Sequence, residues 1–139
     1  MYDKLINELI EYGRLAGVKN FTPGFSGNIS ARYNDKIIIT ATGTANGYLK
    51  REDFTVIDYN GRKIEGMKNP SSEKMLHIKF YQMRPDINYI FHVHSPYLTA
   101  FASAGKSLDQ PVLAEIVYCF GKIPLAEYAL PGSKDLVDN

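Results

Sequence analysis

Cysteine is nearly missing from this chain: Cys119 is the only one in 139 residues. One thiol cannot close an intramolecular disulfide, so no covalent framework is expected, and the composition suits a reducing, cytoplasmic setting. Long apolar runs are missing too. The N-terminal stretch MYDKLINELIEYGRL breaks every apolar cluster with an acid, so neither a signal peptide nor a membrane span is expected there. Charge of one sign is also absent, because the formal net charge is only +1 and acids and bases are mixed along the chain. Without a basic stripe nothing points to nucleic acid, and without a like-charge block nothing points to a charged tail. The glycines form no GxGxxG fingerprint and helices do not alternate regularly with strands, which argues against a doubly wound nucleotide fold. No internal repeat or low-complexity segment is visible.

What is present is apolar material for one core. Hydrophobic residues make up 45% of the chain, and its length fits a single domain, 1–139. Residues 2–17 carry Leu5, Leu9, Ile10, Tyr12, Gly13 and Ala16 at helical spacing, with Gly17 as the stop. Strands are expected at 28–33 and 36–40, joined by an Asn34-Asp35 turn, and at 54–58 and 62–64, joined by Asn60-Gly61. A short helical turn is expected near 50–53. Ser71 or Ser72 can cap a helix that runs to about residue 83, with Leu76, Phe80 and Met83 as its apolar face and Arg84-Pro85 as its end. Residues 88–94 read as a buried strand. Ser95-Pro96 opens a helix through about residue 104. Residues 112–120 fit helix or strand equally. PLAEYALPGSKDL reads as an extended piece, a turn, and the cap of a further helix at Ser133. The expected fold class is α/β, with a largely antiparallel sheet and helices outside it.

Chemistry concentrates at IFHVHS, residues 90–95. On a strand, residues i and i+2 share a face, so His92 and His94 project side by side with Val93 opposite. Two converging imidazoles suit a metal that takes a third ligand from elsewhere. Two hydrogen-bonded histidines at a strand end would look the same. Glu73 follows Ser71-Ser72 at a helix start, where a carboxylate is stabilised by the macrodipole. The free N–H groups and serines there also suit an anion, beside which a carboxylate can act as a general base. Ser26-Gly27-Asn28 and Thr42-Gly43 are two more loops with small residues, glycine and polar side chains, each a plain turn when taken alone. His77, one turn after Glu73, reads equally well as a buried histidine bonded to backbone and is not taken as a metal ligand. Cys119 reads as a small buried hydrophobe. The 10 tyrosines read mostly as core or interface anchors.

The motifs GFSGNIS at 24–30, ITATGT at 39–44, NPSSEKMLH at 69–77, RPDINYIFHVHSPYLTAFA at 84–102 and YALPGS at 128–133 occur in one order across nearly the whole chain. In that order and spacing the chain resembles the class II aldolase/adducin family. The resemblance implies a three-layer α/β/α fold with a central, mainly antiparallel sheet, and a cyclic homotetramer with active sites between subunits. It implies Zn2+, one per subunit, bound by His92 and His94, and Glu73 as catalytic acid/base. Gly27, Asn28, Thr42, Gly43, Ser71 and Ser72 would bind the substrate phosphate.

The implied reaction is reversible cleavage of a ketose 1-phosphate such as L-fuculose 1-phosphate into dihydroxyacetone phosphate and an aldehyde such as lactaldehyde. The partner is therefore a small sugar phosphate, not nucleic acid or membrane. Glu73 fits the aldolases and the methylthioribulose-phosphate dehydratases of the family, whereas its sugar-phosphate 4-epimerases usually carry Asp there. Adducin-like members tend to lose the metal ligands, so the retained HxH argues against a purely structural, oligomerising role. The family's third zinc histidine, and a tyrosine acting in the neighbouring subunit's site, lie beyond the helix that opens near Ser133. The C-terminal part of the family domain is thus expected to be missing from this chain. Two ligands hold zinc less tightly than three, so the resemblance leaves the activity of a chain of this length open.

Overall fold

The computed structural model describes residues 2–108, 110–111 and 113–138. Five strands form one sheet in the order β4-β3-β2-β1-β5: β1 is Asn28–Tyr33, β2 Lys36–Thr40, β3 Phe54–Asp58, β4 Lys63–Glu65 and β5 Tyr89–His92. Every pairing is antiparallel. Helix α1, Asp3–Val18, covers one face and α2, Lys74–Met83, the other. The remaining helices are α3, Pro96–Ser103, α4, Ala114–Cys119, and α5, Lys134–Asp138. Short 3-10 turns at Asn46–Tyr48 and Arg51–Asp53 link β2 to β3. This is the three-layer arrangement with an antiparallel centre.

Period-two alternation sorts the strand residues between two cores. Ile29, Ala31, Ile38, Phe54 and Val56 face α1 and pack with Tyr2, Ile6 and Leu9. Ile37, Ile39 and Ile57 face α2 and pack with Ile78 and Tyr81. Leu9 is fully buried, so truncating it to alanine would cost about 2–5 kcal/mol.

Several elements differ from the sequence expectation. Helix α1 runs past Gly17, and the chain reverses at Asn20, whose φ is +58°. Gly17 instead permits contact: a Cβ there would stand 2.6 Å from Gly47 Cα. The buried face of α2 is His77, Ile78 and Tyr81, while Phe80 and Met83 are exposed. The helix starts at Lys74, and this phase turns the 77–78–81 stripe toward the sheet. Strand β5 is half-exposed rather than buried, because it is an edge strand paired only with β1. It ends at His92, two residues early. β4 is shifted by one residue, to Lys63–Glu65. The undecided stretch contains the helix α4, with Val112 outside the described residues. Cys119 is exposed at the end of α4, because that helix buries none of its residues. Tyr2 and Tyr81 are core residues, whereas Tyr48, Tyr97, Tyr118 and Tyr128 are largely exposed. Helix α3 begins at Pro96, and the Leu136 N–H donates to Ser133 Oγ at 3.2 Å, so Ser133 caps the last helix as expected.

Candidate active site

Antiparallel pairing brings the start of β1 and the end of β2 to the same end of the sheet. The chain before α2 then joins them. Thr42 N–H donates to the Asn69 carbonyl and Ser71 N–H to the Thr40 carbonyl, each at 3.0 Å. Three loops remote in sequence, 25–28, 41–44 and 71–73, therefore surround one cavity of about 220 Å³. Of the residues singled out from sequence, Gly27, Asn28, Thr42, Gly43, Ser71, Ser72, Glu73 and His94 line it, and His92 stands behind Glu73.

Glu73 occupies the N-cap position of α2, but its side chain does not cap the helix. Ser71 supports the turn instead, its Oγ accepting from the Glu73 N–H at 3.2 Å. This leaves the carboxylate free to turn inward, with its side chain 12% exposed. There Oε2 accepts from Asn28 Nδ2 at 2.5 Å and lies 2.8 Å from His92 Nδ1. Asn28 and His92 are direct cross-strand partners on β1 and β5, so the sheet itself sets both beside Glu73.

Gly27 makes this approach possible. Its φ is +74°, and an added Cβ would lie 2.5 Å from the His92 carbonyl oxygen. An L side chain is strained at that φ and has no room at that distance.

His94 lies beyond the strand ladder, fixed by its N–H donating to the Phe21 carbonyl at 2.7 Å. Even so, the two rings lie together as expected, with centroids 5.1 Å apart and planes 29° apart. The donor set fits part of a zinc site: two adjacent imidazoles suit zinc, and the contact of His92 Nδ1 with Glu73 leaves its Nε2 free. Among the described residues no group of three or more His, Cys, Asp or Glu is placed to hold a metal ion.

His77 is fully buried against β1. It bonds to side chains rather than backbone: Nε2 pairs with Asn28 Oδ1, and Nδ1 lies 2.7 Å from Ser30 Oγ. Burial, with the charge of His92 as a smaller influence, pushes its pKa down to about 3. Sequence spacing along α2 showed its closeness to Glu73 but not its link to Asn28, which depends on the register of β1. Phe25, Ser26, Thr44 and Pro131 also line the cavity. Ser26 and Thr44 lie in the glycine loops already noted, whereas no sequence signal placed Pro131 there.

Comparison with known proteins agrees with this fold. Residues 7–139 match the family described as Class II Aldolase and Adducin N-terminal domain. An L-fuculose phosphate aldolase of Methanococcus maripaludis strain S2 is 37% identical over 134 residues, covering 96% of this chain and 73% of that protein. A methylthioribulose-1-phosphate dehydratase of Pseudoalteromonas translucida is 36% identical over 102 residues, covering 73% of this chain and 48% of that protein. Among solved structures, an L-fuculose 1-phosphate aldolase superposes with a TM-score of 0.89 at 34% identity, over 97% of this chain and 64% of that one.

Proposed function

The chain belongs to the class II aldolase and adducin family, and we propose that it acts as a zinc-dependent aldolase on a ketose 1-phosphate of the L-fuculose 1-phosphate kind. The products are dihydroxyacetone phosphate and an aldehyde such as lactaldehyde. One observation carries the reading: a carboxylate fixed by Asn28 and His92 forms one wall of a cavity whose other walls are loops rich in Gly, Ser and Thr.

Such loops are chemically suited to a phosphate. The hydroxyls of Thr42, Ser71 and Ser72 and the backbone at Gly27 and Gly43 supply donors without bulk, and Asn28 keeps a second Nδ2 hydrogen beyond the one given to Glu73. Holding the phosphate fixes the carbon next to the carbonyl against Glu73. In the condensation direction Glu73 takes a proton from that carbon, and in cleavage it returns one. His92 and His94 are the residues that would hold zinc, which when bound supplies Lewis-acid stabilisation of negative charge on the substrate oxygens. A homotetramer in the cytoplasm completes the proposal. The exposed apolar residues Tyr97, Leu98, Phe101, Val117 and Tyr118 of α3 and α4 favour burial against further chain, and the single cysteine suits a reducing compartment.

The dehydratase relative supports a second reading, elimination of water from a ketose phosphate at the same site, since abstraction of a proton beside a carbonyl is common to both reactions. Product analysis with zinc-loaded protein separates them. Aldehyde and dihydroxyacetone phosphate from L-fuculose 1-phosphate support the aldolase, dehydrated product from methylthioribulose 1-phosphate supports the dehydratase, and neither product refutes both.

A further inference from the structure

We propose that His77 is a positioning residue that locks the Asn28 amide in the one orientation able to donate to Glu73. The proposal deepens the aldolase reading and rests on it for its consequence in catalysis.

The argument runs outward from the carboxylate. Glu73 Oε2 only accepts, so the atom of Asn28 that faces it must be Nδ2. That choice turns Oδ1 toward His77. A carbonyl oxygen also only accepts, so the His77 Nε2 must carry the proton. His77 Nδ1 is then an acceptor, and Ser30 Oγ–H donates to it across 2.7 Å. Having given its hydrogen to His77, Ser30 accepts from the Tyr81 hydroxyl at 2.8 Å. Burial pushes the Tyr81 phenol well above its ordinary value, which keeps that donor protonated.

The chain of bonds from Tyr81 to Glu73 thus has one proton arrangement. Reversing any single link faces two acceptors or two donors in a buried site, where the cost is greatest, and reversing all of them, with Tyr81 turned to the Asn88 carbonyl at 3.5 Å, sets Asn28 Oδ1 against Glu73 Oε2. The carboxylate favours the donating orientation from one end of the Asn28 amide, and the His77 N–H accepted by Oδ1 holds it from the other. The amide can turn over with little change of shape, and the turned form sets an oxygen against the carboxylate. His77 opposes that alternative without touching substrate. It lies under the site, on the α2 face of the sheet, with no atom on the cavity wall.

The test compares His77→Phe, which keeps bulk and loses the bonds, with His77→Gln, which keeps an N–H donor near Nε2. The deciding readout is hydrogen exchange of the Asn28 side-chain amide by NMR in zinc-loaded protein. The expected result is slow exchange in the wild type, acceleration of at least tenfold in His77→Phe, and recovery in His77→Gln, with both variants cooperatively folded. Unchanged exchange in folded His77→Phe overturns the lock. Should His77→Phe fail to fold, fast exchange in folded His77→Gln equal to that of a solvent-exposed asparagine overturns it instead, and protection in that variant supports it. In the cleavage assay, kcat is expected to fall 10- to 100-fold in His77→Phe, with a rise in KM because the turned amide also loses its donor toward the phosphate, and both are expected to recover in His77→Gln. A wild-type protein that cleaves no ketose phosphate refutes the proposed function and not the lock, which the amide exchange decides.

Discussion

Nδ1 of His92 lies 2.8 Å from Oε2 of Glu73. A ring nitrogen that donates to a carboxylate leaves the other nitrogen with its lone pair, which is how metal-binding histidines are commonly oriented. The proposed base and the proposed ligand therefore constrain each other. Glu73→Gln should keep zinc content unchanged while lowering cleavage by roughly 10²–10⁴-fold, the usual span for loss of a general base. Elemental analysis and a coupled assay on the same preparation check both halves, and undiminished turnover would remove Glu73 from its role.

His94 is held by backbone to Phe21 and stacks on His92, so its ring orientation does not depend on Glu73. His94→Ala should lose most bound zinc after dialysis while keeping the melting temperature of the metal-free protein. Full zinc occupancy in that variant excludes it as a ligand.

Ser71 is buried where the loop meets α2, and it also lines the cavity proposed for the phosphate. A hydrogen bond to a charged group is worth about 1.5–3 kcal/mol, or roughly 10–100-fold in affinity. Ser71→Ala should raise KM for the phosphorylated ketose by about that factor and leave a dephosphorylated analogue nearly unaffected. Equal changes for both substrates would argue against a phosphate at this loop.

Protonation of His77 links folding to pH. Burial holds it at about 3 in the fold, against 6.5 in an open chain. Between these values the unfolded chain binds a proton that the folded chain does not. Its contribution is thus complete above pH 6.5 and declines as pH falls toward 3, by at most about 1.4 kcal/mol per pH unit. Urea titrations at several pH values should show a slope that is shallower in His77→Gln; parallel curves would assign the slope to other groups.

Gly27 and Gly24 both have positive φ, but only Gly27 lies against another strand. Gly24→Ala should cost about 1–2 kcal/mol for the left-handed backbone alone. Gly27→Ala should cost more, since it must also push the His92 carbonyl away, and zinc affinity should fall with it. Chemical denaturation of the pair, with zinc titration of each, tests the difference.

Much of this was legible in the sequence because it is local. The β-branched run 36–40, the Asn60-Gly61 turn, Pro96 at a helix start and Ser133 as a cap each follow from neighbouring residues, and the structure has them. The HxH pairing was legible too, although His94 proved to owe its place to Phe21 rather than to the strand. What escaped was long-range. The buried face of α2 depends on which stripe meets the sheet, and Phe80 and Met83 look as apolar in sequence as Ile78 and Tyr81. The half-exposure of β5 depends on strand order, which its composition does not reveal. The link from His77 through Asn28 to Glu73 joins residues up to 49 apart and exists only once β1 and α2 have packed.

The cross-strand pairing of Asn28 with His92 also makes strand alignment a determinant of the candidate site. If β5 slipped along β1 by one residue, Phe91 would replace His92 above α2 and the imidazole would turn to the α1 side. Such a misaligned chain would keep its central strands and most of its core, and could pass for folded by size and secondary structure. It would lack the contact between His92 and Glu73. The tie from His94 to Phe21 and the absence of a side chain at Gly27 both fit the observed alignment of β5, so they bear on the register of the sheet as much as on the candidate site.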